Sequence, residues 1–228
     1  ILLAPAYNPV LLAKVTASLD QVSGGRLTLG LGVGGRPDDF QLAGQSYPDR
    51  GRRLDDQLEL LHRAWAGEPV AGSAFPVAPA TTHGRVPLLM GGLPQLAAPR
   101  AARWRAGFTI GGAPPEMAAG AIQEFKDAFA RAGGDGQPRI VCLTYYSLGE
   151  EHTEESLRNL RTYYGFLGDF AEMIAAGAPR DPEAVEERVA AFAALGVDEL
   201  IFDPTVADVD QVDGLADTVG ADALRAGA

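Results

Sequence analysis

The stretch Arg26-Leu27-Thr28-Leu29-Gly30-Leu31-Gly32-Val33-Gly34-Gly35 is an apolar run that stops in glycines. Its length and its Leu and Val content suit a strand buried on both faces, and the terminal glycines allow another group to approach the backbone closely. Gly30, Gly32 and Gly35 also spell G-x-G-x-x-G, the dinucleotide fingerprint. In that arrangement the third glycine opens a helix at once, and an acid about 20 residues on ends the next strand. Here Pro37, Asp38 and Asp39 follow, while Asp55 and Asp56 lie inside a helical pattern. The context rejects the fingerprint and leaves a glycine-ended strand.

Outward from this strand the chain alternates. Ile1-Leu2-Leu3-Ala4 reads as a strand closed by Pro5. Asn8-Pro9 opens a helix in which Leu12, Val15, Leu19 and Val22 recur at helical spacing until Gly24. After a polar loop over 36–49, Leu54, Leu58, Leu61 and Trp65 mark one face of a helix over 51–66. Residues 67–85, rich in Pro, Gly and Thr, read as a long surface loop, a lid or a connection. Further strands are expected over 86–90, 107–110, 139–148 and 198–202. Helices follow over 94–105, from Pro114-Pro115 to Gly133, over 153–176 with a break at 165–168, after Asp181-Pro182, and over 209–219. Six strands, each followed by helix, make a parallel α/β sheet, and both an open doubly wound sheet and a closed eight-unit barrel fit. Both bind ligands at the C-terminal strand ends, where this chain places glycines.

Composition narrows the chemistry. With 228 residues, 46% hydrophobic and 21% charged, the chain suits one substantial globular core. A net charge of −11 without a basic run excludes nucleic acid as a partner. Cys142 is the single cysteine, which excludes an internal disulfide and multi-cysteine zinc and fits a cytoplasmic setting; in its apolar strand it reads as an inert core thiol. No apolar run reaches the roughly 18 residues of a membrane span. His62, His83 and His152 show no metal-ligand spacing. His62 is expected at the surface, and His83, in the long loop, is a candidate substrate contact. Tyr145 and Tyr146 point to opposite faces of their strand, so one can face the pocket while the other packs against helices, with core packing the default for both, and Tyr145 is the second candidate substrate contact. No nucleophile and base pair emerges, so no catalytic residue is assigned.

Several stretches, in order, resemble the bacterial luciferase-like monooxygenase family. They are Tyr7-Asn8-Pro9-Val10, Leu12-Ala13-Lys14, Leu19-Asp20-Gln21-Val22-Ser23-Gly24-Gly25-Arg26-Leu27, and Gly30-Leu31-Gly32-Val33-Gly34. The helix from Arg50-Gly51-Arg52-Arg53-Leu54 to Trp65-Ala66-Gly67-Glu68-Pro69-Val70 continues the likeness, as do Pro87-Leu88-Leu89-Met90-Gly91-Gly92, Ala101-Ala102-Arg103-Trp104 and Gly107-Phe108. The resemblance implies an α/β fold, a TIM-like (β/α)8 barrel. Residues 1–228 would form a single partial barrel domain whose six strands answer to the third to eighth.

It also implies a cofactor, FMN or alternatively the deazaflavin F420, at the C-terminal strand ends. Gly91, Gly92 and Leu93, between strand and helix, are expected to hold its phosphate on backbone N–H groups. Gly111 and Gly112 form a second wall. The flat ring would lie over Leu3, Ala4, Gly32, Val33 and Gly34, with an unusual cis peptide near residues 1–3. The expected function is that of a flavin-dependent oxidoreductase or monooxygenase, activating oxygen or passing hydride to a small organic substrate. The alternatives are F420-dependent hydride transfer and a non-catalytic barrel acting as a flavin-binding or interaction subunit. A homodimer is the expected assembly.

Overall fold

The computed structural model describes residues 1–220, which divide into two compact units. The first holds residues 1–108 and 125–138, the second residues 109–124 and those from 139 onward.

In the first unit β1 (Leu2–Leu3), β2 (Leu29–Gly32) and β3 (Leu88–Gly91) pair side by side and parallel, with Leu3 opposite Gly32 and Leu31 opposite Met90. Helices α1 (Pro9–Ser23), α2 (Pro37–Leu42), α3 (Arg50–Trp65) and α4 (Pro94–Trp104) complete it. Strand β4 (Gly107–Gly111) and helix α5 (Pro115–Arg131) contribute residues to both units. The Asn8 side chain caps α1 by accepting from the N–H groups of Val10 and Leu11 at 3.0 and 3.1 Å, and Gly24 ends it at φ +66°. The core includes Leu54, Leu58, Leu61 and Trp65 of α3 and the stacked rings of Phe108 and Phe125, 4.2 Å apart.

Four expectations change here. Residues 37–42 are helical, not loop: Asp38 and Asp39 sit in the first turn, where the helix dipole favours acids, and Phe40 is fully buried against Tyr47. The helical spacing of α1 holds, but Val15, Leu19 and Val22 face outward. Its buried face is Leu12, Ala13, Thr16 and Ala17, and the small side chains let α3 come close enough for Trp65 Nε1 to donate to Thr16 Oγ1 at 3.2 Å. The 67–85 segment is a fastened connection, not a lid. Lys14 donates to Ala78 O at 2.9 Å, Gln21 to Ala80 O at 2.8 Å, and the Thr82 N–H to Asp20 Oδ2 at 2.6 Å. His62 is half-buried and stacks on Trp104 at 4.1 Å, with Nδ1 2.8 Å from Leu58 O; burial lowers its pKa.

In the second unit the order is β4, β5 (Ile140–Tyr146), β6 (Glu199–Pro204). Helices α6 (Thr153–Tyr164), α7 (Asp169–Ala176), α8 (Pro182–Ala194) and α9 (Asp210–Val219) accompany them, and the break after α6 falls at residues 165–168 as expected. β5 and β6 are parallel over six paired residues, from Val141 opposite Glu199 to Tyr146 opposite Pro204. Tyr146 is buried and donates to Gln211 O at 3.0 Å, while the Gln211 amide holds both polar groups of the Leu148 backbone. β6 departs from the buried strand expected from its Leu-Ile-Phe run. Ile201 is 42% exposed and Asp203 is exposed too. Among the described residues no helix is long and apolar enough to cross a membrane, and no His, Cys, Asp and Glu group is arranged to hold a metal.

Candidate functional site

The C-terminal ends of β1, β2 and β3 enclose a cavity of about 660 Å³, within the range of small-molecule sites. Leu3, Gly32, Val33, Gly34, Gly91, Gly92 and Leu93, all expected at the cofactor, lie on its wall. The glycines have two separate reasons to be there. At Gly32 and Gly91 the Ile1 side chain lies so close that an added Cβ would stand 3.1 and 2.9 Å from its carbons. At Gly92 the space is open, with nothing within 4 Å of a Cβ, but the backbone turns at φ +111°. A side chain is therefore kept out by conformation at the point where β3 gives way to α4.

That junction suits an anion. Leu93 is the N-cap of α4, no side chain caps it, and Pro94 follows at the first helical position. Pro94 has no N–H and the Leu96 N–H donates to Leu93 O at 3.0 Å, which leaves the Gln95 N–H, at the positive end of the helix dipole, as the donor of the first turn. Arg50, the first residue of α3, reaches the same cavity. Its Nε donates to Gly34 O at 3.1 Å, one Nη to Tyr47 O at 3.0 Å, and its guanidinium lies 3.8 Å from the centre of the Tyr47 ring. It makes no ion pair among the described residues. Arg100, also on the wall, is neutralised by both Asp55 oxygens at 2.6 and 3.1 Å. The cavity thus holds one uncompensated cation beside an uncapped helix start. Leu93 and Leu96, 60% and 56% exposed, give its rim an apolar contact surface.

Sequence reading did not single out Arg50. It stands near Arg52 and Arg53 at the start of α3, and only folding shows that the latter two take Asp49 as partner while Arg50 lines the cavity.

Other expected residues lie elsewhere. Ala4 is fully buried in the 3-10 turn Ala4–Ala6 and does not line the cavity, because the chain bends into the core at Pro5. His83 lies against Gly25, 3.2 Å from where its Cβ would be. That is the entry of β2, the opposite end from Gly32, so His83 is withdrawn as a substrate contact. The cis peptide expected near residues 1–3 is absent; the cis bond among the described residues is Ala78–Pro79.

Gly111, Gly112 and Tyr145 belong to the second unit. Gly112, at φ +74°, packs against Tyr145, whose ring would stand 3.2 Å from an added Cβ. The Tyr145 and Tyr164 hydroxyls are 2.5 Å apart, and burial, together with their mutual hydrogen bond, raises the pKa of Tyr145, so the two form a neutral hydrogen-bonded pair. Asp203, opposite Tyr145 in the strand register, is exposed as a residue, and the partial desolvation of its carboxyl raises its pKa.

The luciferase-like monooxygenase family matches residues 1–212. An uncharacterized protein of Mycobacterium tuberculosis is 32% identical over 124 residues, covering 51% of this chain and 43% of that protein. The F420-dependent glucose-6-phosphate dehydrogenase of Microbacterium testaceum is 32% identical over 120 residues, 49% of this chain and 36% of that enzyme. The aligned stretches thus span less than half the length of these relatives. Among solved structures, an F420-dependent secondary alcohol dehydrogenase superposes with a TM-score of 0.69 at 19% identity, covering 93% of this chain and 74% of that one. The oxygenating constituent of 3,6-diketocamphane monooxygenase from Pseudomonas putida, in complex with FMN, gives 0.60 at 16% identity, covering 88% and 70%. These likenesses establish the α/β fold of the TIM-barrel, luciferase-like type expected from sequence. The family match takes in both the glycine-ended strands of the first unit and the tyrosine-ended strand of the second, and the chain belongs to the luciferase-like monooxygenase family.

Proposed function

We propose that the protein is an oxidoreductase that holds FMN over the ends of β1, β2 and β3 and acts on a small organic substrate. The observation that carries this is the pairing of an open glycine cradle at Gly92 with the uncompensated charge of Arg50 on one cavity wall. A phosphate suits both: backbone N–H at the start of α4 and the remaining guanidinium nitrogen of Arg50 are anion-binding donors on the wall of one cavity, and Gly92 leaves room for it. Leu3 and Val33 offer apolar contact to a flat ring, and the absence of side chains on Gly32 and Gly34 gives it room.

When bound, the cofactor supplies hydride transfer or oxygen activation. The chain's own residues bind and orient it. Arg50 fixes the anionic end, Gly91 and Gly92 set the depth of approach, and Leu3, Leu93 and Leu96 exclude water from the face of the ring. F420 is the second reading, favoured by the F420-dependent relative and the F420-dependent structural neighbour.

Equilibrium dialysis of the purified chain against FMN and against F420, read by fluorescence, tests the proposal. Retention of FMN supports it, retention of F420 alone selects the second reading, and retention of neither leaves a non-catalytic interaction subunit. A homodimer is carried as a further proposal. α1 presents Leu11, Val15, Leu19 and Val22 to solvent as one apolar stripe, and light scattering in solution decides whether a second copy covers it.

A further inference from the structure

The ends of β5 and β6 carry a second cavity, about 310 Å³, within the second unit. Tyr145 and Asp203 are direct register partners on parallel strands, so their side chains leave the sheet on the same face. Helix α6 closes the cavity with Asn159, Leu160 and Tyr163, and Thr205 follows β6. The polar inventory is one-sided. The Asn159 amide nitrogen is committed to Thr205 O at 2.9 Å, the Thr205 hydroxyl to Tyr146 O and Ser156 Oγ, and the Tyr145 hydroxyl to Tyr164. What remains for a ligand is the Asp203 carboxylate, the Asn159 amide oxygen, the Tyr163 hydroxyl and the rings of Tyr145 and Tyr163.

Asp203 makes no hydrogen bond and no ion pair among the described residues, and no basic residue lines its cavity. Elsewhere Asp49, Asp55, Glu59, Glu68 and Glu172 each hold an arginine. Partial desolvation at the cavity wall raises the Asp203 carboxyl pKa with no cation to draw it back, and the titratable groups near it are the neutral hydroxyls of Tyr145, Tyr163 and Tyr164. A carboxylate flanked by aromatic faces and amide oxygen lacks one kind of partner, a hydrogen-bond-donating cation.

We propose that this cavity binds a protonated organic amine, its ammonium on Asp203 and its carbon skeleton against Tyr145 and Tyr163. The cavity and every residue of the proposal belong to the second unit, so the binding does not depend on the cofactor reading of the first.

The test is calorimetric titration of the full chain, without cofactor, with 2-phenylethylamine, with its uncharged counterpart 2-phenylethanol and with the anion 3-phenylpropanoate. The amine is expected to bind about tenfold tighter than the alcohol and the anion more weakly than either. Asp203→Asn is expected to cut amine affinity about tenfold and leave the alcohol unchanged. Tyr163→Ala, an exposed position, is expected to weaken the amine about threefold, which keeps the test open should the Asp203 variant fail to fold. Equal binding of amine and alcohol, no amine binding, or unchanged amine affinity in both variants overturns the proposal. Because no cofactor is present, failure here is distinct from failure to retain FMN or F420.

Discussion

The C-terminal strand ends of the two units are built from opposite materials. β2 and β3 end at Gly32 and Gly91, beside an arginine that has no ion-pair partner among the described residues; β5 and β6 end at Tyr145, Tyr146, Asp203 and Pro204, with a carboxylate in the same position. The first set removes side chains and supplies positive charge, as a bulky anion requires. The second fills space with aromatic rings and supplies negative charge, as a small cation requires. One strand-and-helix plan therefore carries two kinds of recognition, because the side chains at the strand ends can differ while the alternation of strand and helix beneath them stays the same.

The largest expected break in this contrast comes from Gly92→Val. A β-branched residue at φ +111° costs about 1–3 kcal/mol of strain and also fills the cradle, so FMN affinity should fall tenfold to about a hundredfold in dialysis. Arg50→Gln should follow, with about a tenfold loss for FMN, since a hydrogen bond to a charged group is worth about 1.5–3 kcal/mol. Riboflavin, which lacks the phosphate, should bind the variant and the parent alike; a matching loss for riboflavin would move Arg50 from the phosphate to the ring.

Gly111→Ala sharpens the comparison from the other side. Gly111 has an ordinary φ and open space around a Cβ, so its stability should change by less than about 0.5 kcal/mol. A fall in FMN affinity of about threefold would then report contact with the cofactor, as the family likeness implies, and no fall would confine the site to the first unit.

Two smaller effects separate packing from recognition. Burial holds the His62 pKa below its ordinary value, against the favourable carbonyl of Leu58, so the folded state prefers the neutral ring. The unfolded chain takes up the proton first as pH falls below about 6.5, so stability declines from there to the lower folded pKa and is unaffected above it. His62→Phe, which keeps a ring on Trp104, should flatten urea-denaturation midpoints between pH 7 and 5. Cys142, its thiol pushed up to about 11 by burial, should resist alkylation at pH 8 until the chain unfolds.

Much of this was legible before folding. The glycine stops after Leu31 and Met90, the cap at Asn8 and the α6–α7 break are local signals, each set by a residue's own backbone preference or by a side chain reaching two or three positions along. Positions whose meaning depends on distant partners were not legible. Val15, Leu19 and Val22 have the right period, yet the small face of α1 is the buried one because α3 packs there. His62 looks polar, yet it stacks on a tryptophan 42 positions away. Ala4 and His83 carry suitable residue types but are taken from the site by a bend at Pro5 and by loop contacts with α1.

The sequence by itself determined the alternation of strand and helix, the glycine endings and the family, because periodicity and backbone conformation act over a few residues. Tertiary structure alone decided which charges stay unpaired. Arg50, Arg52 and Arg53 are chemically equal along the chain, and Asp203 is one acid among 30 acidic residues. Only the packing of α3 on the strand ends, and of α6 beside β6, leaves Arg50 and Asp203 without counter-ions among the described residues, since pairing depends on distances of a few ångströms that no local signal encodes.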